Sequence, residues 1–357
     1  MKLTVAITGI NATDNPGPGI TVARALRAHP DFKGRIVGLA YDTLDPGIYA
    51  SEMIDDVFLI PYPSAGVEAL QDRLRYINER VHLDVILPTL DSELPNFIAS
   101  VKVLDELKIG HFMPTQEQLD LRSKQHLVEL GERADLPVPK TKVVNDVSEI
   151  FEFKDLKYPV FVKGVFYGAI RATNINEAAA AFYATVAKWG LPVLIQEATH
   201  GDEIDVVAVG DGKGGLIGAV AMKKTFLTDK GKGWAGIAVR DPQALDATRR
   251  FVEATKWRGP FELEVMKDEA TGEINVLEIN PRFPAWCFLS AGAGANLPYA
   301  CTLLAAGQSV NPEDYSTYEA GTMFVRIAID QIVSLKDFQE IATTGELIRT
   351  LAKNPEL

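Results

Sequence analysis

The sequence predicts an α/β chain of mixed character, a parallel βαβ unit followed by a larger, mainly antiparallel α+β part. Residues 3 to 110 alternate short apolar strands with longer helical patterns, the rhythm of a parallel sheet with helices on its faces. From about Pro159 strand patterns follow one another with few helices between them, as in antiparallel sheet. The 357 residues exceed one ordinary core and suit two or three packed units.

In chain order, the early strands are expected at Leu3–Ile7, Arg35–Ala40, Val57–Ile60 and Asp84–Leu87, with helices over Ile20–Ala28, Gly66–Val81 and Leu94–Leu107. Pro114-Thr115 opens a polar helical stretch that two prolines end at Leu136-Pro137-Val138-Pro139. Strands follow at 159–163, 193–197, 203–209, 215–222, 261–266 and 274–279. Asp241-Pro242 supplies an N-cap and first-turn proline for a helix carrying Leu245, Phe251 and Val252. The chain is expected to close with a helix over Leu335–Leu351.

A net charge of −12 repels polyphosphate backbones and argues against nucleic-acid binding. Hydrophobic residues at 47% and charged residues at 24% are the balance of a globular chain. The two cysteines, Cys287 and Cys301, exclude a disulfide framework and a cysteine-rich metal site, and fit a reducing cytoplasm. Met1–Gly9 reads as a first strand rather than a signal peptide, and no run of about 18 apolar residues predicts a membrane span.

The most informative segment is a hairpin. Phe261–Met266 and Val276–Asn280 alternate, and Lys267–Gly272 between them is a turn sequence. Phe261, Leu263, Val265, Leu277 and Ile279 are expected on the buried face, with Glu262, Glu264, Glu278 and Asn280 on the other. Carboxylates gathered on one face repel unless water or cations intervene, and hard oxygen donors suit Mg2+. A solvated face of surface glutamates is the plain alternative. Pro281 ends the ladder and presents Arg282, whose fork suits a phosphoryl or carboxylate group.

Leu277-Glu278-Ile279-Asn280-Pro281-Arg282 resembles the metal-binding signature of the ATP-grasp superfamily, in the branch of the carbamoyl-phosphate synthase large subunit and biotin carboxylase. The resemblance spans roughly residues 1–330 and implies an ATP-grasp fold. Its expected parts are a Rossmann-like preceding domain (1–113), an N-terminal lobe (114–195), a larger antiparallel C-terminal lobe (196–330) and a C-terminal helix and tail (331–357). It implies ATP with Mg2+, or Mn2+, as cofactors. Glu264 would bind one ion, Glu278 bridge two and Asn280 bind the second, while Arg282 steadies the transferred phosphate.

Other pieces of a nucleotide site follow from the same resemblance. Lys163 ends a strand and precedes Gly164-Val165-Phe166-Tyr167-Gly168-Ala169, poorer in glycine than the family's loop and with Gly164 where it has proline. Lys124, expected on a helix, matches the first nucleotide-facing basic residue. Gln196, Glu197 and Ala198 match the hinge that recognises adenine, and Glu203 the ribose carboxylate, with Asp205 on its face. Lys223-Lys224 and the loop Thr228–Gly236 suit a lid or a solvated loop, and no catalytic role is assigned to them.

The expected activity is ATP-dependent ligation of a small carboxylate to an amine through an acyl phosphate, releasing ADP and phosphate. Partners are those small molecules, with a homodimer allowed and neither nucleic acid nor membrane. Asn11–Gly19, Thr89–Glu93 and Phe283–Trp286 are expected to border the substrate cleft. Carbamoyl-phosphate-type chemistry and a nucleotide-binding regulator without turnover are the alternatives. A dinucleotide site fits poorly, because Gly17-Pro18-Gly19 lies too far beyond the first strand and Val22 stands where a third glycine belongs. The five histidines are scattered, which disfavours zinc hydrolase chemistry.

Overall fold

A computed structural model of the chain describes residues 2–12, 15–153, 155–165, 168–228, 231–269 and 271–349. The apolar segments β1 (Thr4–Ile7), β2 (Arg35–Ala40), β3 (Asp56–Leu59), β4 (Val85–Leu87) and β5 (Gly110–His111) pair in parallel. Helices Pro18–Ala28 and Val67–Val81 cross between them. The expected helix over Leu94–Leu107 is two, Leu94–Ala99 and Val101–Glu106. At the break the Ser100 hydroxyl donates to the Asn96 carbonyl at 2.7 Å, a local bond that competes with helix geometry.

Helix Gln116–Leu121 begins with a reciprocal Thr115–Gln118 capping box, and helix Leu127–Ala134 follows. Between them the chain turns, with Ser123 N–H donating to Asp120 and His126 N–H to Ser123. Lys124 therefore sits in a turn, not on a helix as the sequence suggested. Next come β6 (Thr141–Val144), β7 (Val160–Gly164), β8 (Ala169–Ala172) and β9 (Val193–Glu197), an antiparallel sheet in the order β6-β9-β7-β8. Helix Ile175–Trp189, capped by Asn174, packs Phe182 into this sheet's own core with Val160, Val162 and Ile195.

The third sheet comprises β10 (Asp202–Asp211), β11 (Leu216–Leu227), β12 (Gly233–Val239), β13 (Arg258–Lys267), β14 (Ile274–Asn280) and β15 (Met323–Val325), in the order β14-β13-β10-β11-β12-β15 and antiparallel throughout. The segment Thr228–Gly236, read as a lid or a solvated loop, becomes strand from Gly233 onward. Gly233 and Gly236 already pair with β11, and Thr228 N–H closes the turn onto the Lys232 carbonyl at 2.8 Å. Asp229 and Lys230 of that loop, Phe166 and Tyr167 after Lys163, Thr13 and Asp14 after β1, and Ala270 of the hairpin turn lie outside the described residues.

The closing helix stops at Thr344, where Gly345 takes a φ of +71°, and β16 (Glu346–Ile348) then pairs antiparallel with β3 at the edge of the first sheet. Residues 350–351 of the expected helix lie outside the described residues. The first and third sheets share one core, in which Val5 and Ile7 meet Val207, Val209, Phe283 and Leu297. Each such fully buried side chain contributes about 1.5–3 kcal/mol. No helix among the described residues is long and apolar enough to cross a membrane.

Gly19 shows why the loop after β1 is glycine-rich. A Cβ there would lie 1.8 Å from the Thr8 carbonyl oxygen, so only glycine lets helix Pro18–Ala28 start this close to β1. The loops beyond the carboxyl ends of β1 and β4 consequently face the third sheet across a cleft.

Candidate functional site

The cleft, of about 890 Å3, runs between the three sheets. Its floor is set by register. On β13, Glu264 stands opposite Asp205 of β10 on one side and Glu278 of β14 on the other, so three carboxylates lie in a row across the sheet. Glu262 likewise stands opposite Asn280. The polar face predicted for Glu262, Glu264, Glu278 and Asn280 is thus assembled, all four lining the cleft.

The opposite face needs one correction. The ladder slips between Glu264 and Val265, so Glu278 pairs with Glu264 but Val276 with Val265. Leu277 is the extra residue of the bulge and is only half-buried, and Val276 takes its expected place in the core.

Crowding carboxylates in a buried place raises the energy of their charged forms. Burial, then the neighbouring Asp205, Glu262 and Glu278, push the Glu264 carboxyl well above its usual range. Burial pushes Asp205 up as well, against the pull of Lys224. Lys224 holds the group together, with its Nζ 2.5 Å from Glu203 and 3.0 Å from Asp205. Single oxygens of Glu203, Asp205 and Glu264 lie within 4.8 Å of one another, close enough to share a cation. Asn280 Nδ2 donates to Glu264 at 2.8 Å and to Glu262 at 3.0 Å.

Arg282 leaves β14 beyond Pro281 and reaches back over this floor. Its Nε donates to Asp91 at 2.8 Å and its Nη1 to Glu262 at 3.3 Å. Burial alone would lower its pKa, but Asp91 and Glu262 raise it, so the guanidinium stays charged. Asp91, also near Arg122 at 3.6 Å, is held below the usual carboxylate range, because the two arginines outweigh its burial. Trp286 Nε1 completes the Glu262 shell at 2.6 Å.

From the second sheet, Lys163 enters the cleft at the end of β7, its Nζ donating to Gln196 Oε1 at 2.5 Å. Burial and the charge of Lys124 lower its pKa. Lys124 bridges the turn to β14, 3.2 Å from Glu278. Glu203 also lines the cleft. Gln196, Glu197 and Ala198 do not line it but stand behind Lys163, and the N–H groups of Glu197 and Ala198 are donated to the Lys140 and Pro159 carbonyls.

Residues 191–327 match the family described as ATP-grasp in the biosynthetic pathway with Ter operon. Over 88% of this chain and 74% of the other, the structure superposes on the biotin carboxylase–βγ-ATP complex from Campylobacter jejuni with a TM-score of 0.70 at 16% identity. The chain has the ATP-grasp fold. The same fold aligns it with the L-amino acid ligase from Bacillus licheniformis (TM-score 0.64, 15% identity, 87% of this chain and 75% of that one). It also aligns with the N5-carboxyaminoimidazole synthetase from Staphylococcus aureus (TM-score 0.64, 17% identity, 87% and 80%).

Within this ATP-grasp fold, sequence reasoning undervalued Lys224, Glu262, Asp91 and Arg326. Glu262 carried a signal, since it shares the alternating face of Glu264. Arg326 carried none, because it reaches the cleft from just beyond the edge strand β15, 44 residues after Arg282.

Proposed function

We propose that this chain is an ATP-dependent, ADP-forming ligase that activates a small carboxylate as an acyl phosphate and joins it to a nitrogen nucleophile. One observation carries the reading: Lys124 from a turn, Lys163 from β7, Glu264 from β13, Glu278 and Asn280 from β14 and Arg282 from just beyond β14 all line one cleft.

The residues fit a magnesium ion chemically. Glu264, Glu278 and Asn280 offer hard oxygen atoms, and the donations from Asn280 Nδ2 to two carboxylates leave its Oδ1 as the free end of the amide. These three would hold the metal, which when bound neutralises phosphate charge and draws electron density from the transferred group. In this reading Lys124 keeps Glu278 compensated until the nucleotide arrives.

Glu203, which lines the cleft, accepts the ribose hydroxyls, whereas Gln196, Glu197 and Ala198, outside the lining and with the N–H groups of Glu197 and Ala198 already donated, are left without an adenine contact. Lys163 and Arg282 act on the transferred phosphate. A carboxylate oxygen of the substrate attacks the γ-phosphorus, and the bond to the ADP oxygen breaks as charge spreads over the phosphoryl oxygens. Lys163 and Arg282 stabilise that charge by position, the main resource in phosphoryl transfer. The amine then attacks the acyl carbon, phosphate leaves, and the nitrogen loses a proton.

The experiment is a mixed pool of carboxylates and amines with ATP and Mg2+, read by mass spectrometry. Products joined with loss of one water, together with ADP and phosphate, are expected. AMP and pyrophosphate would refute the acyl-phosphate route.

A further inference from the structure

The loop after β1, the loop after β4 and the chain just beyond β15 all line the cleft. Here the polar accounting does not close. The side-chain carbonyl oxygens of Asn11 and Asn15 are buried without a hydrogen-bond donor, and Nη1 of Arg326 is buried without an acceptor. Arg326 is anchored by its other terminal nitrogen, which donates to the Ala285 carbonyl at 2.9 Å. Asp91 commits Oδ2 to Arg282, whereas its Oδ1 meets Arg122 only at 3.6 Å, beyond hydrogen-bond length. An unmet buried polar group costs about 1–3 kcal/mol, so several beside one cleft describe the ligand that would satisfy them.

From this pattern we infer that the activated carboxylate belongs to an α-amino acid, held by its carboxylate on Arg326 and by its ammonium on Asn11, Asn15 and Asp91. The inference rests on the ligase reading above and narrows its substrate. An ammonium has three donors and no acceptor, matching the unmet oxygens of Asn11 and Asn15 together with the Asp91 carboxylate, whose Oδ1 Arg122 also approaches. A hydroxyl in its place offers one donor, and an unsubstituted acid none. A second carboxylate would set its own oxygens against them. Binding sites built around polar groups discriminate strongly against analogues that leave those groups unpaired. Trp286, Pro284 and Leu90 give the amino acid's side chain an apolar wall. With its ammonium engaged, this amino acid serves as the acyl donor, and the attacking amine comes from a second molecule.

Hydroxylamine, a nucleophile indifferent to the natural acceptor, tests this. With ATP and Mg2+, a carboxylate oxygen takes the γ-phosphoryl group from ATP, releasing ADP, and hydroxylamine nitrogen then displaces phosphate from the acyl carbon, losing a proton and leaving a hydroxamate. The full-length protein is given three pools: L-amino acids, the matched 2-hydroxy acids, and the matched unsubstituted acids. The amino-acid pool is expected to yield at least about tenfold more hydroxamate than either other pool. Equal yields, or a preference for another pool, overturn the inference while leaving ATP-dependent carboxylate activation standing. No hydroxamate from any pool overturns both. Asn15→Leu, on a surface loop, should raise KM for the amino acid at least about tenfold while KM for ATP stays within about twofold. A parallel rise in both constants, or in neither, counts against the assignment.

Discussion

Lys224 shows how a single side chain makes the floor of the cleft possible. It is the cation that the described structure puts directly on Glu203 and Asp205, and its charge also offsets Glu264. Removing one partner from a buried ionic group costs about 3–5 kcal/mol, because the remaining charges lose their compensation. Lys224→Met should therefore destabilise the fold by about 3 kcal/mol, read as a lowered denaturation midpoint with an unchanged slope. The cysteines make the converse point. Both are buried, and burial pushes each thiol up to about 12. At pH 8 about one in ten thousand is thiolate, so iodoacetamide should leave both unmodified in the native protein and label both after denaturation. At this scale Glu264, Glu278, Asn280 and Arg282 were legible from strand alternation and one proline. Asp91 was legible only as part of a segment expected to border the cleft, and Arg326 not at all, since their neighbours in space are far away in the chain.

At the scale of elements, legibility followed the strength of the local code. β10, β13 and β14 declare themselves by β-branched and alternating residues, and helix Pro242–Thr255 by its cap and proline. β12 is hidden, because Gly233 and Gly236 at its start look like a loop and only the ladder with β11 makes them strand. The bulge at Leu277 is hidden for a related reason: alternation in one strand does not reveal a slip against its partner. The cap of helix Pro242–Thr255 is open to test. Asp241 Oδ1 accepts from the N–H groups of Gln243 and Ala244 at 3.1 and 2.9 Å, and its other oxygen pairs with Lys267. Asp241→Ala should cost about 1–2 kcal/mol, with the thermal midpoint falling accordingly, whereas Asp241→Asn should retain most of the capping contribution.

Across the whole molecule, the arrangement explains why the chain needs three sheets for one site. The first sheet contributes the loops bearing Asn11 and Asp91, the second contributes Lys163, and the third contributes the acidic row and Arg282. The βαβ rhythm and the later strand-rich pattern announced the parallel and antiparallel sheets. They could not announce that β16 returns to the first sheet, because a three-residue strand carries too little pattern to read. A shared core locks the first and third sheets together, while the second packs around its own cluster, so the cleft lies between separately packed units.

If the Glu264–Glu278–Asn280 floor supports ADP-forming carboxylate activation, turnover depends on the Glu278 carboxylate, which Glu278→Gln replaces. Glutamine keeps the shape of Glu278 but removes its charge, so circular dichroism and the thermal midpoint should stay close to those of the parent protein. ADP release in the presence of Mg2+, an amino-acid pool and hydroxylamine should fall at least about a hundredfold. ADP release at the parent rate by a correctly folded Glu278→Gln protein would rule out that role for the acidic floor.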